Sequence, residues 1–177
     1  MLLMLSEVVD LVNKQQSLDE KKKILLQHKT PALLTILRYG LDSRIQFDTE
    51  IPTYKPDTSP IGLSYGSLHK EYRRLYIFTQ VYRNVNINRK KMILAQILES
   101  INPTEAKLLE SVLLKKFSLN GVTNEFLNSV FPELMLPVPI KEENVRTETV
   151  QEPVESATEQ KQEKKIFSNG KKSKKVV

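Results

Sequence analysis

The sequence contains no cysteine, two histidines and only five glycines among its 177 residues. Without cysteine, the chain can form neither a disulfide nor a thiolate metal site, and this composition is compatible with a reducing compartment. His28 and His69 each lie far in sequence from any second metal ligand, so we interpret both as ordinary helix-surface residues. We therefore predict no metal site and no cofactor.

Long hydrophobic runs are also absent. Residues 1–5 are apolar, but the run is only five residues long, has no positive charge before it and continues into Ser6 and Glu7. A signal peptide needs a longer apolar region, and a membrane span needs about 20 apolar residues. We therefore expect a soluble protein with no signal peptide and no membrane partner.

The composition changes at residue 140. With 40% hydrophobic residues in the whole chain, residues 1–140 suffice for one globular domain, whereas residues 141–177 are dominated by polar and charged side chains. The net charge of +6 is uneven: residues 141–163 carry three basic and seven acidic side chains, and residues 164–177 carry six basic and none acidic. We predict a disordered tail that is acidic and then basic. Ile166 and Phe167 in it are either a docking motif or an incidental pair.

Residues 102–137 predict two helices joined by a turn. Asn102 is placed to cap the first helix, with Pro103 at its first position and Glu105 facing the positive end of the helix dipole. Apolar residues then recur at helical spacing as far as Leu113. Another helix is predicted over residues 93–101 by the same pattern.

The turn between these helices carries a lysine pair. Lys115 and Lys116 precede Gly121, which can adopt a positive φ angle, and Thr123 is placed to cap a short helix that Pro132 ends. Free backbone N–H groups at a helix start, beside two lysines, favour phosphate binding. The alternative is a plain helical hairpin in which the glycine is only a C-cap.

Three helices are predicted before residue 41. A capping box at Ser17 opens the second, whose first-turn lysines, residues 21–23, either bind an anion or form a solvated face; Thr30 caps the third, and Gly40 ends it. Residues 41–66 have no helical period and are expected to lie extended along the core. The apolar residues expected to pack there are Ile45, Phe47, Ile51, Tyr54, Ile61 and Tyr65.

The longest helix is predicted over residues 67–83, where a broad apolar stripe indicates a central position. Residues 70–91 hold seven basic side chains and one acid, Glu71, which is the strongest basic bias in the predicted domain. A fold that brings these residues beside Lys115 and Lys116 would create a continuous phosphate-binding surface. A fold that separates them would leave scattered solubilising charge.

Two sets of residues resemble one protein family. The set near the end of the domain is Gly121, Val122, Thr123, Asn128, Val130, Phe131, Pro132, Leu134 and Pro137. The earlier set is Lys22, Ile24, Leu25, Leu33, Leu34 and Tyr39, with the helical segments of residues 68–101. In order and spacing, over most of residues 5–137, they resemble the N-terminal DNA-binding domain of the ATP-dependent DNA ligases of T-even bacteriophages.

The resemblance implies an all-helical domain that grips the backbone of duplex DNA, in a phage protein of the infected bacterial cytoplasm. In that family a nucleotidyltransferase domain follows, in which the lysine of a Lys-x-Asp-Gly motif accepts AMP. None of the five glycines of this chain follows an aspartate, and only 40 residues lie beyond Pro137, too few for such a domain. We therefore predict a DNA-holding domain without enzyme activity.

The sequence thus predicts an all-α bundle of about seven helices that binds duplex DNA phosphates without sequence specificity. The predicted DNA-contacting residues are Lys70, Arg73, Arg74, Arg83, Arg89, Lys90, Lys91, Lys115, Lys116, Gly121 and Thr123. A phage or host DNA-metabolism protein is a second candidate partner, bound through the tail. The alternatives are a protein-interaction module that retains the fold and a ligase subunit that works with a separate catalytic chain.

Overall fold

The structure, a computed structural model, describes residues 2–138. Its α-helices are α1 (Leu5–Lys14), α2 (Leu18–Gln27), α3 (Pro31–Leu41), α4 (Leu68–Glu71), α5 (Ile87–Ser100), α6 (Pro103–Leu113) and α7 (Asn124–Val130). Two 3₁₀ helices, Tyr72–Phe78 and Pro132–Leu134, complete the regular structure of this range, which contains no strand beyond a single β-bridge. The all-α prediction is confirmed. The predicted tail, with Ile166 and Phe167, lies outside the described residues.

Three helix starts form as the sequence predicts. The side chains of Thr30, Asn102 and Thr123 each accept a hydrogen bond from a backbone N–H two or three residues ahead, at 3.1, 3.0 and 3.2 Å. Each satisfies one of the N–H groups that a helix start leaves without an intrahelical partner. Pro31 and Pro103 occupy the first positions of α3 and α6, where a missing N–H costs nothing.

Helices α3 and α6 form the centre of the domain. Helix α6 contacts α1, α3 and α5, while α3 also contacts α4 and both 3₁₀ helices. The buried faces of these two helices include Leu33, Ile36, Leu37, Leu109 and Val112, all with no exposed surface. The sequence pattern instead predicts a central helix over residues 67–83, and this expectation is wrong.

The segment predicted as the longest helix is short and tightly wound. Helix α4 covers only four residues, and the 3₁₀ helix Tyr72–Phe78 continues it. A 3₁₀ helix has three residues per turn, so Tyr72, Leu75 and Phe78 share one face, and the last two have no exposed surface. The prediction of one long α-helix is wrong, because a period of three residues, and not the 3.6 residues per turn of an α-helix, places these apolar side chains in the core. The longest α-helix of residues 2–138 is α5, with 14 residues.

Two other boundaries also differ from the prediction. Ser17 stands at the N-cap position of α2, but its side chain makes no capping hydrogen bond. Gly40 does not end α3, which continues to Leu41. A Cβ atom at residue 40 would lie 3.2 Å from the Cβ of Phe117 and closer still to its ring. The glycine is therefore needed for close packing against Phe117 and not for helix termination.

The long segment between α3 and α4 packs only in its first half. Phe47, Ile51 and Tyr54 lie half-buried against the core, as predicted. Ile61 and Tyr65 are 77% and 96% exposed, so the prediction is wrong for these two residues. The positive φ angle of +85° at Gly62 turns the chain between them.

No helix within residues 2–138 has the length and apolar character that crossing a membrane requires.

The buried carboxylate of Glu105 joins three helix starts. Glu105 lies in the first turn of α6 and is 1% exposed. Its Oε1 accepts a hydrogen bond from the N–H of Leu5 at 3.2 Å, and its Oε2 accepts one from the N–H of Leu68 at 2.9 Å. These donors are the first residues of α1 and α4, so the carboxylate faces the positive ends of three helix dipoles.

The buried hydrogen bond of the Tyr54 hydroxyl predicts a loss of folding stability at alkaline pH. Its hydroxyl donates to Glu110 Oε1 at 2.6 Å, and burial, together with this bond, raises the pKa of Tyr54 from 10.0 to about 12. The neutral phenol is thus favoured in the folded state, so its stabilising contribution is present below the unfolded pKa and is lost as pH rises from 10.0 towards 12. In urea denaturation, Tyr54→Phe should show a smaller loss of unfolding free energy between about pH 9 and pH 11 than the wild type. An identical loss in both proteins would contradict this assignment.

Candidate functional site

An open cleft lies where the C-terminal half of α3 meets residues 44–46 and residues 79–83. Its volume is about 630 Å³, within the range of small-molecule sites. Three arginines line it together with three apolar or aromatic residues and three that carry amide or hydroxyl groups, and none of the lining residues is acidic. We call it the arginine cleft, after Arg38, Arg44 and Arg83.

Backbone hydrogen bonds fix one wall of the cleft. The N–H of Gln80 donates to the carbonyl of Gln46, and the N–H of Asp48 donates to the carbonyl of Phe78, both at 2.9 Å. These two bonds enclose the antiparallel bridge between residues 47 and 79. The bridge holds the segment before Arg83 beside the segment after Arg44, so residues distant in sequence share one site.

Arg44 is held in place by a buried carboxylate. Its Nε and one terminal nitrogen donate to the two oxygens of Asp42 at 2.9 and 2.8 Å, and the same terminal nitrogen donates to the carbonyl of Met135 at 2.7 Å. The hydrogen bonds from Arg44 hold the pKa of Asp42 below its usual value. A planar guanidinium bound in this two-point manner keeps a fixed orientation.

Arg38 and Arg83 complete the charge of the cleft. Both are exposed, and neither side chain makes an ion pair or a hydrogen bond within residues 2–138. The ion pair of Arg44 with Asp42 is neutral, so Arg38 and Arg83 supply two unpaired positive charges in the cleft, and the half-buried Lys115 lies behind its wall. Such a site attracts anions, and the second terminal nitrogen of Arg44, which bonds neither Asp42 nor Met135, is left to donate to an oxygen atom.

The other basic residues predicted in the 70–91 segment are distributed over separate places. Lys70 and Arg74 line a second cleft of about 530 Å³, where Arg74 pairs with Glu71 at 2.9 Å. The Arg73 guanidinium lies 5.8 Å from the ring centre of Tyr72 and donates to its hydroxyl. The side chains of Lys70, Arg73 and Arg74 lie on the surface, as predicted.

The start of α5 contributes less free charge than the sequence predicts. Arg89 is exposed, but Lys91 pairs with Glu50. Lys90 has no exposed surface, and its ammonium group lies 3.7 Å from Asp48 without a hydrogen-bond partner in the described range. The prediction of Lys90 on a DNA-contacting surface is wrong, because its side chain is inserted between α5 and the extended segment that carries Asp48.

Lys115 is also not the solvent-facing residue that the sequence predicts. Its ammonium group donates to the carbonyls of Tyr39 and Asp42 at the end of α3, and burial lowers its pKa. Its backbone has a φ angle of +57°, unusual for a residue with a side chain. Lys115 therefore joins α6 to α3 behind the cleft wall, while Lys116 is exposed. With its ammonium group bound to these carbonyls, Lys115 is not available for a continuous phosphate-binding surface with residues 70–91.

The turn after Lys116 is closed by an internal lysine. Gly121 adopts a φ angle of +64°, as predicted, and Thr123 caps α7. Lys21, predicted to be on a solvated or anion-binding face, is 3% exposed and donates to the carbonyl of Asn120. The N–H groups of Asn120, Val122 and Phe126 already donate to acceptors within the domain, so the plain hairpin is the better interpretation of Gly121 and Thr123.

Arg38 and Arg44 are not among the residues that the sequence predicts to contact DNA. Both stand as isolated basic residues, one on an apolar helix and one in an irregular segment, and therefore outside the basic run of residues 70–91. The only local signal is the spacing of Asp42 and Arg44, which suits a short carboxylate–guanidinium pair. The β-bridge that places Arg83 beside them joins segments that are distant in sequence, so no local sequence pattern predicts it.

The fold and the cleft together define an all-helical domain with a site that is lined by arginines and attracts anions. The chain belongs to the family of unknown function DUF6433, which matches residues 8–120 and thus includes the whole arginine cleft. Comparison with curated proteins found no match. Among solved structures, the ligase-related Pmar-Lig_PreS3 is similar with a TM-score of 0.56 and 22% identity, over 76% of this chain and 32% of that protein. This likeness shows a shared fold, and the chain spans about a third of the other protein's length.

Proposed function

We propose that the domain binds duplex DNA through its phosphates, without sequence specificity and without catalysis, as an accessory protein of DNA metabolism in a phage-infected bacterium. The observation that carries the proposal is the convergence of Arg38, Arg44 and Arg83 on one cleft without an acidic lining residue. The ligase-like fold and the resemblance of residues 5–137 to a ligase DNA-binding domain support it.

The arrangement of donors favours phosphate over other anionic groups. Arginine forks bind two oxygens of one phosphate, and phosphate contacts position a protein on DNA without reading its sequence. Lys70, Arg73 and Arg74 extend the exposed basic residues beyond the cleft, where they can contact further phosphates. Phosphates are the same in every DNA sequence, so we expect similar affinities for unrelated duplexes.

Fluorescence anisotropy with labelled duplexes of unrelated sequence tests this proposal on the full chain. The wild type should bind all of them with similar affinity, and binding should weaken steeply with salt. Arg38→Ala with Arg83→Ala should weaken binding about tenfold or more at low salt, because the cleft loses two positive charges that attract DNA phosphate. The slope of log affinity against log salt should fall by about 0.9 for each phosphate that the variant leaves without a cation.

A matched variant separates the role of the cleft from that of net charge. Lys22→Ala with Lys23→Ala removes the same number of positive charges from the middle of α2, where both side chains are exposed and lie outside the cleft. This variant should bind DNA almost as the wild type does, and circular dichroism should show intact helices in both variants. Equal decreases in affinity for the two variants would contradict the cleft as the DNA-binding site. Absence of any binding at low salt would contradict the proposed function.

A protein-interaction module is the second candidate function. The observation that favours it is a loop with three exposed hydrophobic side chains, Ile61, Leu63 and Tyr65, which are 77%, 71% and 96% exposed. Grouped exposed apolar residues are a common feature of protein-binding surfaces. Failure of every duplex to bind in the anisotropy assay would favour this candidate over DNA binding.

A further inference from the structure

We propose, on the basis of the DNA-binding role above, that the arginine cleft holds one nucleoside phosphomonoester unit, namely a terminal phosphate with its attached nucleoside. This unit is provided either by the end of a DNA strand or by a free nucleotide. The cleft is thus a discrete end-binding site, in addition to a general contact with the DNA backbone.

The charge of the cleft matches a terminal phosphate better than an internal one. Because the ion pair of Arg44 with Asp42 is neutral, the unpaired Arg38 and Arg83 supply two positive charges within the cleft. A phosphomonoester carries about −1.5 to −2 charges at pH 7, because its second pKa is about 6. An internal phosphodiester carries one negative charge and would leave the second arginine uncompensated. The charge balance therefore favours the dianion.

The shape of the cleft fits a compact ligand with a polar and an apolar part. A volume of about 630 Å³ accommodates a nucleotide-sized molecule. Tyr39, Ile45 and Val81 supply aromatic and apolar surface, and Val81 is 91% exposed at the rim. Gln46 and Gln80 supply amide groups that can bind a sugar or a base edge.

Asp42 makes one of the three arginines a preorganised donor. Because Arg44 is already bound to Asp42 and to the carbonyl of Met135, its orientation costs little to fix on ligand binding. Arg38 and Arg83 have no partner in the described range and can close on the phosphate from α3 and from residue 83. Together with the remaining terminal nitrogen of Arg44, these two side chains can donate to the oxygens of one terminal phosphate.

Three unlabelled competitor DNAs of equal length test the inference against a labelled duplex. One is a hairpin with a 5′-phosphate, one is the same hairpin with a 5′-hydroxyl, and one is a closed dumbbell without ends. The phosphorylated hairpin should compete about tenfold better than the other two, and this advantage should shrink below about pH 6, where the phosphate loses its second charge. Arg38→Ala with Arg83→Ala should abolish the advantage, while Lys22→Ala with Lys23→Ala should retain it.

Thymidine monophosphate and inorganic phosphate distinguish the two sources of the ligand. Competition by thymidine monophosphate at far lower concentration than by inorganic phosphate shows that the nucleoside is held as well as the phosphate. Equal competition by all three DNAs overturns the end-binding site while leaving general DNA binding intact. Binding of the free nucleotide to the wild type but not to the arginine variant, with no DNA bound, supports the cleft as a free-nucleotide site and overturns the DNA-binding role.

Discussion

Replacing Glu105 by alanine is expected to destabilise the domain strongly. The substitution leaves the N–H groups of Leu5 and Leu68 buried without an acceptor. Each unpaired buried donor costs about 1–3 kcal/mol, and the total stability of a typical domain is only about 5–15 kcal/mol. Urea denaturation followed by circular dichroism should show a lower midpoint with an unchanged slope.

Two comparison variants separate the contribution of the two hydrogen bonds of Glu105 from that of the helix dipole. Glu105→Gln keeps one oxygen acceptor and should lose less stability than Glu105→Ala. Glu125 also lies in the first turn of a helix, α7, but is exposed, so Glu125→Ala should change the unfolding free energy by about 0.5 kcal/mol or less. Comparable losses of stability for Glu105→Ala and Glu125→Ala would mean that the helix dipole, and not the two tertiary hydrogen bonds, accounts for the effect.

Replacing Gly40 by alanine is expected to give the second large loss of stability. Alanine is favoured over glycine within a helix by about 1 kcal/mol, so helix propensity alone predicts stabilisation. The new Cβ would lie 3.0 Å from Cγ and 3.2 Å from Cβ of Phe117, which has little room to move because it is buried. Overpacking of this kind costs about 1–3 kcal/mol, so we expect a net decrease in the urea midpoint.

A double-mutant cycle isolates the packing of Gly40 against Phe117. Phe117→Ala alone should destabilise the domain, because it removes a buried ring. In that background Gly40→Ala should be neutral or stabilising, since the clash is gone and the propensity gain remains. A decrease of the same size in both backgrounds would show that strain within α3, and not Phe117, opposes the side chain.

Local chemistry explains which parts of the fold the sequence predicts correctly. Thr30, Asn102 and Thr123 satisfy N–H groups within their own helices, so the prediction needs no knowledge of the rest of the fold. The prediction fails for residues 67–83 because their apolar side chains fit a helical period and a period of three almost equally well. Tertiary packing of Leu75 and Phe78 decides between the two periods.

The candidate site is predicted less completely, for a physical reason. Positive charge is visible in a sequence, but its role depends on whether another segment supplies an acceptor. The ammonium groups of Lys90 and Lys115 point away from solvent, towards Asp48 and towards carbonyls at the end of α3 respectively. The β-bridge between residues 47 and 79 places Arg83 beside Arg38 and Arg44. Among the predicted DNA-contacting residues, only Arg83 therefore lies in the arginine cleft.

The carboxylate of Glu105 also sets an order of events during synthesis of the protein on the ribosome. Leu5 is made 100 residues before its hydrogen-bond acceptor. At about 5–20 residues per second, α1 waits roughly 5–20 s before the chain that completes its first turn exists. Throughout that interval the buried face of α1, with Val8 and Val12, has no α6 to cover it. Helix α1 can meanwhile pack against α2, which is made directly after it, but its buried face is covered completely only when α6 has left the ribosome.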